Sequence, residues 1–121
     1  MPTRVLIADD HALFAEALEA ILAVDDRIAV VGRARDGSEA VDLAGVLRPD
    51  VVLMDISMPV MDGIEATAQI AERVPDASVL VLTGSDAPAD VDAARRAGAS
   101  GYVTKDRIAA ELVEAILDVA R

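Results

Sequence analysis

Five short apolar runs punctuate this chain, each stopping on a polar residue or a turn and each followed by helical spacing. That alternation leaves few folds open. The third run is the clearest: Val51, Val52, Leu53 and Met54 lead straight into Asp55, and a loop with Pro59 and Gly63 follows. A short apolar run bounded by turn residues reads as a strand covered on both faces, as the strands of parallel sheets are. The other runs are residues 4–8, ended by Asp9 and Asp10; 27–32; 78–82, closed by Thr83 and Gly84; and 101–104, ending at Lys105.

Between them lie the helices. From 11 to 24, Leu13, Phe14, Ala17, Leu18, Ile21 and Leu22 recur at helical spacing and form the expected inner face. Asp36 and Glu39 have the spacing of a capping box for a helix carrying Ala40, Val41, Ala44 and Leu47, which stops before Pro49. Asp62 and Glu65 open another, running to about Arg73. A weaker helix spans 88–97, and the last carries Ile108, Leu112, Ala115, Ile116 and Val119. Strand and helix alternating five times imply a single α/β domain, a parallel sheet with helices on both faces and right-handed crossovers. Five strands fit the flavodoxin-like doubly wound order 2-1-3-4-5.

Composition narrows the function classes. A formal net charge of -11 argues against direct nucleic-acid contact by this domain, since phosphate contacts need clustered Lys and Arg. The absence of cysteine excludes disulfides and thiolate chemistry. No apolar run approaches the roughly 18 residues that cross a bilayer, and the N-terminus has no signal-peptide pattern, so a cytoplasmic protein without membrane contact is expected. Among 11 basic residues only Lys105 is a lysine. Either that reflects arginine-rich composition, or Lys105 does something an arginine cannot.

Open α/β sheets put their chemistry at the carboxyl ends of the strands. There the expected topology gathers Asp9 and Asp10 after strand 1, Asp55 after strand 3, Thr83 after strand 4 and Lys105 after strand 5. Taken singly, each has an ordinary explanation as a cap, a turn residue or a solvated side chain. Together they differ. Three carboxylates held close repel one another unless a cation sits among them. An all-oxygen set suits a hard divalent ion such as Mg²⁺, which takes one or two carboxylates plus phosphate oxygens and keeps several waters. An ammonium and a hydroxyl around the same point supply the charge and the donor that phosphoryl transfer uses. With no Ser, Cys or His at the centre, Asp55 is the expected nucleophile, forming an aspartyl phosphate. His11 reads as a helix-start residue beside the pocket rather than a phosphohistidine or a metal ligand.

The residues IADDH at 7–11, LMDISMPVMDG at 53–63, LTGS at 82–85 and GASGYVTKD at 98–106 resemble, in this order and spacing, the receiver domain of two-component response regulators. The resemblance runs over 1–121, with no effector domain in the chain, and the DDH start and KD pair are most similar to the NarL/FixJ (LuxR-type) subfamily. It implies phosphoryl transfer from a sensor histidine kinase to Asp55. It also implies Mg²⁺ held by Asp9, Asp10, Asp55 and the backbone carbonyl of Ser57, and a phosphoryl group contacted by Lys105 and Thr83. Tyr102 would be the switch aromatic, turning inward as Thr83 moves. Members of that subfamily usually carry a C-terminal helix-turn-helix DNA-binding domain, expected here if the chain is a fragment, and a homodimer on phosphorylation is an expected state. Two positions depart from the wider pattern: Asp106 stands where many receivers have proline, and Gly84 where alanine or serine is commoner.

Two other functions compete. A stand-alone receiver would act through protein contacts alone. A Mg²⁺-dependent aspartyl-phosphate phosphatase would need Asp-x-Asp-x-Thr, whereas Asp55 is followed by Ile56, Ser57 and Met58. An FMN carrier is disfavoured, because one Phe and one Tyr give little to stack on a flavin.

Overall fold

The computed structural model describes residues 2–58, 60–84 and 88–120; Pro59 and Ser85, which belong to the motifs above, lie outside them. The elements follow in the order β1 (Thr3–Ala8), α1 (Ala12–Ala23), β2 (Ile28–Ala34), α2 (Gly37–Leu47), β3 (Val51–Asp55), α3 (Gly63–Arg73), β4 (Ser78–Thr83), α4 (Pro88–Ala97) and β5 (Gly101–Thr104). A 3₁₀ turn (Lys105–Arg107) then leads into α5 (Ile108–Ala120). The strands form one sheet in the order β2-β1-β3-β4-β5, and every pairing is parallel. This is the expected flavodoxin-like fold.

The sheet has two covered faces because its central strands are apolar on both sides. Leu6, Ala8, Val52, Met54, Val79 and Val81 pack toward α2, α3 and α4, where Ala40, Ala66, Ile70 and Ala94 meet them. Val5, Ile7, Val51, Leu53, Leu80, Leu82 and Val103 point the other way, onto Leu18 and Leu22 of α1 and Leu112 and Ile116 of α5. Burying a Val, Leu or Ile side chain in such a layer contributes about 1.5–3 kcal/mol each. The sheet therefore holds the strand ends as a rigid rim.

One boundary and one face differ from expectation. β2 runs past residue 32 to Ala34, because it is an edge strand and its exposed Arg33 can point to solvent while the backbone keeps pairing with β1. The inner face of α1 is Ala15, Leu18 and Leu22, with Phe14 and Ile21 partly buried beside them. Leu13 is 82% exposed and Ala17 is exposed, so both belong to the outer face. The helix is apolar on two sides, Leu13, Ala17, Ala20 and Val24 forming a second stripe, and periodicity alone does not say which side faces the sheet.

Caps fix where the helices start. Asp36 accepts from the Glu39 amide at 2.8 Å, and Asp62 accepts from the Glu65 amide at 2.9 Å. The return limb of the first cap lands one residue early, since the Glu39 carboxylate takes the Arg35 amide at 3.1 Å. At the start of α2, Gly37 lies so close to the β3–α3 loop that a Cβ there would overlap the Met61 carbonyl. Gly63 is pressed in the same way against the backbone of Asp55 and Ile56. These two contacts hold the loop that follows Asp55.

Gly37→Ala is expected to cost about 1–3 kcal/mol through overpacking. Gly45→Ala in the same helix, where a Cβ meets nothing within 4 Å, should instead stabilise by about 0.5–1 kcal/mol. Urea denaturation of both variants checks the pair; equal shifts would show that the Gly37 contact does not constrain the loop.

Candidate functional site

The carboxyl ends of β1 and β3 are adjacent strands of the sheet, paired as far as Ala8 with Met54. The next residue on each is a carboxylate, Asp9 and Asp55, and these are only 3% and 1% exposed. Asp10 and His11 complete the rim. One ligand atom from each of Asp9, Asp10, His11 and Asp55 lies within 4.8 Å of all the others. Three acidic groups are thus gathered where the sheet's register leaves little water around two of them.

Each buried carboxylate has one oxygen committed and one not. Asp9 Oδ1 accepts the His11 amide at 2.8 Å. Asp55 Oδ1 accepts the Ser57 amide at 3.2 Å and lies 3.3 Å from the Lys105 ammonium. The second oxygens, Oδ2 of Asp9 and Oδ2 of Asp55, are buried and without a hydrogen-bond partner. An unpaired buried carboxylate oxygen is costly. Two buried acceptors on neighbouring strand ends, whose carboxylates each bring an oxygen within 4.8 Å of the other's, fit a small hard cation and do not fit each other. That is the test a divalent ion must pass here, and the donor set passes it: oxygen-rich, anionic and preformed.

Electrostatics agree with the geometry. Burial raises the Asp9 pKa above its ordinary 3.8, with further upward pressure from the Asp55 and Asp10 charges. The His11 amide and the Lys105 ammonium pull it back down without cancelling the rise. Lys105 is about one third exposed and sits 5.0 Å from the centroid of the Phe14 ring. The ammonium thus lies between an aromatic face and a carboxylate at the end of a flexible four-carbon stem, where an arginine would bring a rigid planar fork.

The remaining expected residues fall as follows. Thr83 ends β4, one position beyond the pairing of Leu82 with Asp55, and is 3% exposed. Tyr102 lies in β5 opposite Val81, below the rim, and is 37% exposed. The structure thus brings Asp9, Asp10, Asp55 and Lys105 into direct contact range, seats Thr83 at the same edge, and keeps Tyr102 outward. His11 is the N-cap of α1 with its ring 70% exposed, a helix-start residue as expected, although Nδ1 reaches Asp10 Oδ1 at 3.3 Å. Among the described residues, nothing lies within 4 Å of where a Cβ on Gly84 would stand.

Two participants were not apparent in the sequence. Phe14 belongs to an apolar helical pattern, and nothing local pairs it with a residue 91 positions away. Gly37 has a signal only in hindsight, a glycine at the first position of a capped helix, where its small size is needed for tertiary packing.

The family model described as "Response regulator receiver domain" matches residues 5–117. The transcriptional regulatory protein DegU of Brevibacillus brevis is 43% identical over 118 residues, covering 98% of this chain and 50% of that protein. LiaR of Bacillus subtilis, also a transcriptional regulatory protein, is 46% identical over 113 residues, covering 93% of this chain and 54% of its own length. This chain spans about half the length of these relatives. Among solved structures, the signal receiver domain of the response regulator NarL from Mycobacterium tuberculosis superposes with a TM-score of 0.93 at 39% identity, covering 98% of this chain and 96% of that one.

A charge penalty at Asp9 has a measurable consequence. A carboxylate whose folded pKa is raised costs stability once it ionises, and the cost disappears as pH falls through that raised value toward 3.8. Asp9→Asn removes the charge and supplies an amide donor to the neighbouring carboxylates. The metal-free variant should be more stable than the parent at pH 7, on the order of 1 kcal/mol or roughly 4 °C. The gap should narrow on acidification. Thermal melts in a chelator across pH check this, and a less stable variant at pH 7 would contradict it.

Proposed function

This chain belongs to the response regulator receiver domain family, and on that premise we propose that it is a phosphorylation-dependent signalling switch. It accepts a phosphoryl group from a histidine kinase on Asp55, with Mg²⁺, and passes a conformational change to a transcriptional output domain or another partner. One observation carries this reading: a buried Asp55 with one oxygen held by Ser57 and Lys105 and the other left uncommitted among acidic neighbours.

Each residue has a role that follows from its position. Asp9, Asp10, Asp55 and the Ser57 carbonyl would hold Mg²⁺, which neutralises phosphoryl charge when bound. A carboxylate oxygen of Asp55 attacks phosphorus in line with the leaving imidazole; the new P–O bond forms as the P–N bond breaks and the nitrogen keeps the electron pair. Lys105, already 3.3 Å from Asp55, shifts to a phosphoryl oxygen as the carboxylate becomes an ester-like acyl group and loses its charge. Thr83 donates its hydroxyl to another phosphoryl oxygen, and Tyr102 turns in as Thr83 moves. The chain is a phosphoacceptor that assists its own phosphorylation and dephosphorylation rather than an enzyme with an external substrate.

Partners follow from the surface. The outward stripe of α1, from Leu13 at 82% exposure to Val24 at 85%, rises from the acidic rim and offers an apolar track to the helix that carries the phosphohistidine. The output is a helix-turn-helix DNA-binding domain, in the same polypeptide or a partner, and phosphorylation favours a homodimer. With a net charge of -11, this domain itself makes no nucleic-acid contact. No described helix is long and apolar enough to cross a membrane, and the switch works in the cytoplasm. The phosphatase alternative would use the same Asp55 chemistry but lacks the second catalytic aspartate two residues on, where Ser57 stands.

Intact mass after incubation with acetyl phosphate should show a single phosphoryl adduct that requires Mg²⁺ and disappears in Asp55→Asn. An adduct that persists in Asp55→Asn would place the acceptor elsewhere. Steady release of inorganic phosphate with no adduct would favour the phosphatase.

A further inference from the structure

Besides the two carboxylate oxygens, one other buried side-chain atom among the described residues has no hydrogen-bond partner: the hydroxyl of Thr104. Thr104 is 7% exposed, and the roles proposed above give it none. A buried hydroxyl without a partner burdens the state that contains it. Isosteric valine would avoid the burden, so the threonine calls for a state in which the hydroxyl is used.

The sheet register identifies that state. Thr104 is the direct partner of Thr83 across β4 and β5. Both fall on the α3–α4 face. Val103, next to Thr104, packs into the opposite layer, and so does Leu82, next to Thr83. Strands lie about 4.8 Å apart, within reach of a hydroxyl–hydroxyl bond between side chains on one face. That bond is not made here, since Thr104 Oγ1 has no partner.

We propose that Thr104 is a positioning residue of the switch, whose hydroxyl donates to Oγ1 of Thr83 once Thr83 has turned toward the phosphoryl group. Thr83 then accepts from Thr104 while donating to a phosphoryl oxygen, and each bond polarises the other. The resting state carries the orphaned hydroxyl and the phosphorylated state satisfies it. Thr104 thereby biases the equilibrium toward the switched state. The inference rests on the proposal that Thr83 engages the phosphoryl group.

The test compares Thr104→Val and Thr104→Ser in the same chain. Two readouts are needed: thermal stability without ligand, and affinity for beryllofluoride, a phosphoryl mimic, in Mg²⁺. Thr104→Val should raise the ligand-free Tm and weaken beryllofluoride binding about fivefold to tenfold, the worth of one hydrogen bond. Thr104→Ser should keep the affinity. In a Thr83→Val background, Thr104→Val should have no further effect on affinity, because the bond it removes is already gone. A lower ligand-free Tm, an unchanged affinity, or additive losses in the double variant would each overturn the role of Thr104. Failure of the parent chain to bind beryllofluoride would instead overturn the phosphoacceptor reading. An unchanged affinity in Thr83→Val alone would overturn the role given to Thr83.

Discussion

Everything at this site depends on acidic charge being held where water is scarce. Asp9 and Asp55 end adjacent parallel strands, so the register that packs Ile7 and Leu53 into one core layer also sets the two carboxylates side by side. No local adjustment separates them without breaking the ladder. The protein tempers the repulsion with few contacts, the His11 amide to one carboxylate and the Ser57 amide and Lys105 to the other. It leaves one oxygen of each unsatisfied. A fold optimised for stability alone would put an amide or an apolar side chain there. An acidic, all-oxygen set of this kind has the chemistry that a hard divalent cation takes.

The core gives this arrangement its rigidity. Central strands buried on both faces cannot shift register, because a slip of one residue would exchange the side chains facing α1 and α5 with those facing α2 to α4. The parts not built into the sheet lie at its rim, where Lys105 reaches Asp55 on a long side chain that is about one third exposed. The loop after Asp55 is held against the start of α2, where Gly37 admits the Met61 backbone, and against its own strand, where Gly63 admits Asp55. Under the proposed function, such a division would let one new charge change contacts at the rim without disturbing the sheet.

Much of this was legible in the sequence for a simple reason. A parallel doubly wound sheet converts strand-terminal polar residues into neighbours, so the apolar runs alone gather Asp9, Asp10, Asp55, Thr83 and Lys105. The helix caps at Asp36 and Asp62 were equally readable, since each is a local hydrogen bond between residues three apart. What escaped depends on the rotation or the reach of whole elements. Leu13 and Ala17 were expected inside because α1 is apolar on two sides, and only packing against the sheet chooses Ala15, Leu18 and Leu22. Phe14 under Lys105, Gly37 beneath Met61 and the orphaned Thr104 hydroxyl are all tertiary facts with no local periodicity to announce them.

A titration of the ligand-free chain with Mg²⁺, followed by backbone amide NMR, tests the central claim most directly. If the acidic rim is an incomplete cation site, the amides of Asp9, Asp10, Asp55 and Ser57 should shift together along one saturating curve, and Asp55→Asn should weaken it. Gradual shifts scattered over the acidic surface, with none at these four residues, would show that the buried carboxylates are not a metal site. The account of the switch would then lose its foundation.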